Sequence, residues 1–342
     1  MKRLTRRCLI ATLMAISAFA LAACGEKQEA VSGAGSAVPF TLMLDWVPNA
    51  DHVGIYEAMH DGAFAQAGLN VHLQVPTDPA TPLQLLAQGK VDAAISYEPE
   101  VMLARDKGLA LVSVAAIVQK PLTSIISLPS KHVNIRTPQA LRGKTVGDAG
   151  IAYQQAYLQT ILAGAGVPAS KVKSVNVGAN LVPAMLSGRV DATLGGYWNY
   201  EAIQLRQRGK HPNVIRVDRV GVPTYNELVL VMRRSTIEKQ PDIARRFVQA
   251  IGRGYSAVKR NPSAGIDALV QANPGLDPKL QTASVHATLP VFFPSQSGRP
   301  WGWQNPTEWN AYGQWMLSHH LISHPTAFAG ALTNELLAGQ GV

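Results

Sequence analysis

An eight-residue pattern occurs twice in this chain, and it constrains the possible folds more than any other feature. Leu86-Ala87-Gln88-Gly89-Lys90-Val91-Asp92-Ala93 is echoed, 99 residues later, by Met185-Leu186-Ser187-Gly188-Arg189-Val190-Asp191-Ala192. Each copy reads as the end of a helix, a glycine that caps it, a basic residue and the start of a strand. Each then runs into aromatics and an acid: Tyr97 and Glu98 in the first, Tyr197, Trp198 and Glu201 in the second. One recurrence is too sparse for a solenoid. It predicts two similar lobes, each holding the same helix-to-strand unit. If both units aim their strand ends at one cleft, both sets of aromatics face a ligand between the lobes.

Around the repeat, short strands alternate with helices, the pattern of an α/β fold with largely parallel sheets. Residues 40–44 (FTLML) are a short apolar run typical of a buried strand. Pro48 and Asn49 break it, and Asp51 is expected to cap a helix opening at His52 or Val53. Strands are predicted over 70–75, 91–96, 109–118 and 123–128, with helices over 81–88 and 99–107. Further strands fall at 144–147, 172–177 and 214–217, and a helix at 152–163. The turn 147–150 reads as a plain tight turn or as backbone N–H groups open to an anion. Residues 227–232 (ELVLVM) would return the chain to the first lobe. The remainder is mainly helical, with amphipathic spacing over 242–259 and 262–271. The expected division is 39–129 for the first part of lobe 1, 130–227 for lobe 2, and 228–342 for the return to lobe 1.

The N-terminus stands apart. Lys2, Arg3, Arg6 and Arg7 form a basic head, and 9–23 is an apolar run without a charge. That is the plan of a secretory signal over 1–23, and the run is short for a membrane span. It ends Leu21-Ala22-Ala23-Cys24-Gly25, which looks like a bacterial lipobox, with Cys24 as the lipid-bearing first mature residue. Residues 24–38, rich in Gly, Ala and Ser, have the composition of a flexible tether. The expected location is the periplasm or the outer face of the cell membrane.

Without the four basic residues of the signal, the formal charge falls from +9 to +5, spread along the chain. No long basic run suggests nucleic acid. Of the two cysteines only Cys24 remains after cleavage, so no internal disulfide is possible and stability must come from the core. The chain lacks the nucleophile-elbow, zinc-helix, phosphate-loop and C-x-x-C signatures. No catalytic residue, metal or cofactor is assigned.

Two stretches carry candidate binding groups. The turn after 40–44 places Asp45, Trp46, Asn49 and His52 at the carboxyl end of a strand, where open α/β sheets bind ligands. An aromatic plate beside an acid, an amide and an imidazole suits a flat, nitrogen-rich molecule. Equally, Trp46 could lie as a lid over the first helix while the polar groups cap turns. The second stretch, Gly195-Gly196-Tyr197-Trp198-Asn199-Tyr200-Glu201, also follows a strand. Its glycines let backbone approach a ligand, Tyr197 and Trp198 offer ring faces, and Glu201 can accept N–H bonds from an amino-substituted heterocycle. Tyr97 and Glu98 stand at the matching place in the other lobe. Glu227, a third acid near a crossing point, and Tyr153, at the start of the helix over 152–163, complete the candidates.

These motifs resemble a known family. DWVPNADHVGIYEA, the helix with Gly62 and Gly68, QGKVDAAISYEPE and GGYWNYE together are similar to bacterial ABC-transporter substrate-binding proteins of the thiamine-pyrimidine-precursor type. The wider group includes sulfonate, nitrate and riboflavin binding proteins and the yeast pyrimidine synthase. The resemblance implies a two-lobed periplasmic binding protein of type 2, with a mainly parallel sheet in each lobe and a two-strand hinge. It implies an aminopyrimidine ligand, N-formyl-4-amino-5-aminomethyl-2-methylpyrimidine, held by Trp46 and Tyr97 or Trp198 on its ring faces. Asp45, Asn49, Glu98 and Glu201 would lie among the polar contacts. It also implies a monomer that serves an ABC permease. Riboflavin, another aromatic heterocycle or a sulfonate are alternative ligands. The synthase, an iron-using cytosolic enzyme with a cysteine-rich stretch, is the alternative of another class.

Overall fold

Among the described residues, ten strands of four to eight residues form two five-stranded sheets. They are β1 (Val38–Met43), β2 (Leu69–Gln74), β3 (Ala93–Ser96), β4 (Leu111–Val118), β5 (Thr123–Ser127), β6 (Thr145–Asp148), β7 (Lys173–Asn176), β8 (Ala192–Tyr197), β9 (Asn213–Arg216) and β10 (Leu228–Arg233). The computed structural model describes residues 37–340. The signal over 1–23, Cys24 and the tether up to residue 36 lie outside the described residues.

The sheets share one plan. Their orders are β2-β1-β3-β10-β4 and β7-β6-β8-β5-β9. In the first, β1 runs parallel to β2 and β3, and β10 runs antiparallel between β3 and β4. In the second, β6 runs parallel to β7 and β8, and β5 runs antiparallel between β8 and β9. The mainly parallel expectation holds: in each sheet four strands run one way and one runs against them. The odd strand in each case enters directly from the other sheet, without the helical crossover that a parallel neighbour requires. The chain crosses between sheets twice, over 119–122 and over 217–227.

The repeated octapeptide takes the same conformation in both copies. Gly89 and Gly188 both adopt φ +73°, a left-handed cap that a side chain would strain. The N–H groups of Lys90 and Arg189 each donate back across the helix end, to Leu85 and Ala184, at 3.0 Å. Asp92 and Asp191 each accept a backbone N–H from the neighbouring strand, that of Thr41 and that of Thr145, at 2.8 Å. The aspartate thus pins the start of its strand and leaves the far end free to build a site. The copies diverge at one residue. Ser124 pairs with Gly196 but Ile125 with Leu194, so Gly195, at φ +113°, is an unpaired bulge.

Helix Val53–His60, which follows the first binding stretch, is fixed by close packing on helix Pro241–Arg260. A Cβ at Gly254 would overlap the carbonyl oxygen of Gly54, and a Cβ at Gly54 would overlap the Tyr255 ring. Tyr255 in turn stacks on Trp301, with ring centroids 4.8 Å apart, and its hydroxyl donates to the Asp51 carbonyl at 2.6 Å. No helix among the described residues is long and apolar enough to cross a membrane.

Candidate functional site

A narrow cleft lies where the carboxyl ends of β1, β3, β6 and β8 converge. Asp45, Trp46, Asn49, Asp51 and Tyr97 line it from the first sheet's side. Ile151, Tyr153, Gln154, Leu181, Gly195, Tyr197, Tyr200 and Glu201 line it from the second. Both halves of the internal repeat therefore end at one cavity.

The turn after β1 is built by its own side chains. Asn49, not Asp51, is the cap of the 3-10 turn Ala50–His52 that leads into helix Val53–His60. Its Oδ1 accepts the Asp51 N–H at 2.8 Å, and its own N–H donates to His52 Nδ1 at 3.2 Å. That leaves His52 Nε2 to donate to Asp45 Oδ1 at 2.8 Å, while the Tyr97 hydroxyl donates to Asp45 Oδ2 at 2.9 Å. Asp45 is thereby locked in one rotamer with acceptor capacity left on each oxygen. The expectation that Asp51 caps the helix fails because the turn starts earlier: Asn49 caps it, and Asp51 lies inside its first turn.

On the opposite wall, Glu201 Oε2 accepts the Tyr197 N–H at 2.7 Å. Burial between the lobes pushes the Glu201 carboxyl up to about 7, opposed by the N–H of Tyr197 and its own N–H. Asp51 is also raised to about 7, by burial first; His52 and the hydrogen bond from Asn199 lower it, and Asp45 and Glu201 raise it further. Every charged side chain lining the cleft is acidic. Behind them the rings of Tyr97, Tyr153 and Tyr157 follow one another at centroid distances of 5.6 and 5.0 Å. Gln154 fits against the bulge because Gly195 has no Cβ there; one would overlap the Gln154 amide.

Asp45, Trp46, Asn49, Tyr97, Tyr153, Tyr197 and Glu201 thus come together around one cavity. Four other candidates do not line it. His52 is fully buried behind Asp45. Glu98 Oε2 accepts the Asn226 N–H at 2.7 Å, and burial holds its carboxyl well above the usual range. Glu227 accepts the N–H groups of Leu122 and Thr123 at 2.6 and 2.8 Å, the Thr123 hydroxyl at 2.8 Å and the Tyr225 hydroxyl at 3.0 Å. Trp198 donates from Nε1 to the Pro121 carbonyl at 3.0 Å, with the Arg216 guanidinium 5.1 Å from its ring centre. Glu98, Glu227 and Trp198 all brace the crossing segments. The residues that sequence reasoning missed are Asp51, Gln154 and Tyr200. Tyr200 sits inside the glycine-led stretch and was within reach, whereas Gln154 has no local signal.

In the 147–150 turn, Gln154 Oε1 takes the Ala149 N–H at 2.8 Å and Asp148 Oδ1 takes the Gly150 N–H at 2.9 Å. Those groups are occupied, so the stretch is a tight turn. Among the described residues, Glu57, His60 and Asp61 form one group of metal-ligand types, and none of the three lines the cleft.

With this geometry in place, comparisons with known proteins add a family. The sequence profile described as "NMT1/THI5 like" matches residues 49–265. The chain is 33% identical to the formylaminopyrimidine-binding protein of Halalkalibacterium halodurans, over 86% of this chain and 89% of that protein. It is 25% identical to the 4-amino-5-hydroxymethyl-2-methylpyrimidine phosphate synthase of Legionella pneumophila, over 74% of this chain and 79% of that one. Among solved structures, the alkanesulfonate-binding protein SsuA of Xanthomonas axonopodis, bound to MOPS, superposes with a TM-score of 0.67 at 17% identity. That match covers 88% of this chain and 99% of SsuA, and it shows a shared fold.

Proposed function

This chain belongs to the NMT1/THI5-like family, and from that premise we propose that it is the solute-binding protein of an ABC importer, capturing N-formyl-4-amino-5-aminomethyl-2-methylpyrimidine by lobe closure. The observation that carries the ligand class is the cleft's make-up. Aromatic rings reach it from both sheets, and its charged lining groups are acidic without exception. Flat rings gain from aromatic faces, and exocyclic amino groups gain from carboxylate acceptors. An anionic sulfonate would meet Asp45, Asp51 and Glu201 with no cation among the lining residues. The 33%-identical relative is named a formylaminopyrimidine-binding protein.

In this reading Trp46, Tyr97, Tyr153 and Tyr197 flank the ring, and Asp45, Asn49 and Glu201 accept or donate at its edge. The free protein samples open forms, ligand contacts to both lobes favour the closed one, and the permease reads that state. The protein acts as a carrier rather than an enzyme, works as a monomer outside the cytoplasm, and is tethered by lipid at Cys24.

Titration calorimetry with the formylaminopyrimidine, riboflavin and an alkanesulfonate tests the reading. Tight one-to-one binding of the pyrimidine, with the ligand recovered unchanged by mass spectrometry, is the expected result. Binding of riboflavin or the sulfonate alone would move the function to that ligand, and a converted pyrimidine would make the protein an enzyme.

A further inference from the structure

Asp51 is 1% exposed and has no role in its own turn, since Asn49 supplies the cap. Its side chain instead spans the molecule. Oδ1 accepts from Nδ2 of Asn199, on the other wall, at 2.8 Å. The same Asn199 amide donates to Thr288 Oγ1 at 2.6 Å, and the Thr288 hydroxyl donates to the Ser284 carbonyl at 2.7 Å. Asn199 therefore docks into a socket made by the turn after β1 and by helix Pro278–Thr288. Beside it Gln281 Nε2 donates to the Tyr200 hydroxyl at 3.1 Å, a second bond across the same seam. The Asp51 backbone is held from behind by the Tyr255 hydroxyl.

The other carboxylate oxygen is left over. Asp51 Oδ2 is buried and has no hydrogen-bond partner, and Asp51 lines the cleft. A buried acceptor without a donor is costly, so such an atom is a place where a ligand donor gains most. The groups that face it deepen the demand for a donor: Asp45 from its own turn and Glu201 from the opposite wall are acidic, opposed by His52 and by the hydrogen bond from Asn199.

We propose that Asp51 couples ligand recognition to lobe closure: Oδ1 latches the second lobe through Asn199, and Oδ2 accepts an N–H from the bound heterocycle. The assignment of an amino-bearing ligand rests on the function proposed above; the latch does not. The two bonds are coupled through the closed form: Asn199 reaches Asp51 from the second lobe only when the lobes are shut, so a ligand that engages Oδ2 of the Asp51 placed there favours the shut state. Asp51 becomes a specificity residue, and Asn199 a positioning residue that acts through it.

The test uses the mature protein and the variants Asp51→Asn and Asn199→Ala, with Asp51→Ser read in the same way should Asp51→Asn not fold. Affinity is measured by calorimetry for the formylaminopyrimidine and for its analogue with a 4-hydroxyl in place of the 4-amino group. Closure is measured by small-angle X-ray scattering with and without ligand. Asn199→Ala should weaken pyrimidine binding about tenfold, keep the preference for the amino form, and enlarge the radius of gyration of the ligand-free protein. Asp51→Asn should weaken binding at least as much and lose most of that preference. A wild-type preference in Asp51→Asn overturns the ligand contact. Unchanged dimensions and affinity in Asn199→Ala overturn the latch. Failure of the wild-type protein to bind either pyrimidine sinks the proposed function and the ligand contact together, and the scattering of the ligand-free variants still decides the latch.

Discussion

The Glu227 carboxylate on the returning crossing accepts the backbone N–H of Leu122 on the outgoing crossing at 2.6 Å. The two passages between the sheets are thereby joined, and Thr123 and Tyr225 complete the clasp. A buried carboxylate with four donors is hard to replace. In Glu227→Gln the amide nitrogen can no longer accept, so at least one donor is left unpaired. A loss of about 2–3 kcal/mol in urea unfolding is expected. An unchanged midpoint would mean that the clasp contributes nothing to the fold.

Trp46 is half-buried at the cleft, where a bound ring would cover it. Trp46→Ala should weaken pyrimidine binding by roughly 1–3 kcal/mol and remove part of the ligand-induced fluorescence change. Equal affinity and equal quenching in the variant would make Trp46 a packing residue only.

Asp51 sets a pH dependence of stability. The unfolded chain releases this proton near pH 4, whereas the folded chain holds it to about 7. Its contribution is therefore complete below about pH 4 and is lost as pH rises through 7. Asp51→Asn removes the titration. The variant's stability relative to the parent, without ligand, should rise between pH 4 and pH 8, by at most roughly 4 kcal/mol. A flat difference across that range in thermal melts would place the Asp51 carboxyl at its ordinary value.

Gly254→Ala should push helix Pro241–Arg260 away from helix Val53–His60, because the new methyl group would meet the Gly54 carbonyl. Overpacking at backbone contact is among the costlier substitutions, and about 2–4 kcal/mol is expected. The same shift should weaken ligand binding through Tyr255 and Asp51. A variant that melts like the parent would show that the two helices have room to separate.

What could be read from the sequence follows the range of the interactions involved. Strand ends, the repeat and its glycine caps are local, and the octapeptide alone placed Tyr97 and Tyr197 at equivalent strand ends. The acids were harder. Glu98 and Glu227 looked like ligand contacts because an acid beside aromatics at a crossing carries no local sign of its partners. Those partners are backbone N–H groups 128 and 104–105 residues away. Asp51 was misread for the same reason. Its local environment allows a cap, and the Asn199 amide that it binds lies 148 residues along the chain. The antiparallel strands β5 and β10 escaped because direction is set by the route between the sheets, which apolar patterning does not encode.

The bulge at Gly195 reaches beyond its one unpaired residue. Side chains along a strand alternate between faces, so a single extra residue reverses the phase of everything after it. It adds to a difference the lining already carries, with Asp45, Trp46, Asn49 and Asp51 on one wall and Ile151, Gln154 and Leu181 on the other. With it, Tyr97 spends its hydroxyl on Asp45 while its counterpart Tyr197 offers its backbone N–H to Glu201. The walls are not interchangeable, and the cavity distinguishes the head of a molecule from its tail.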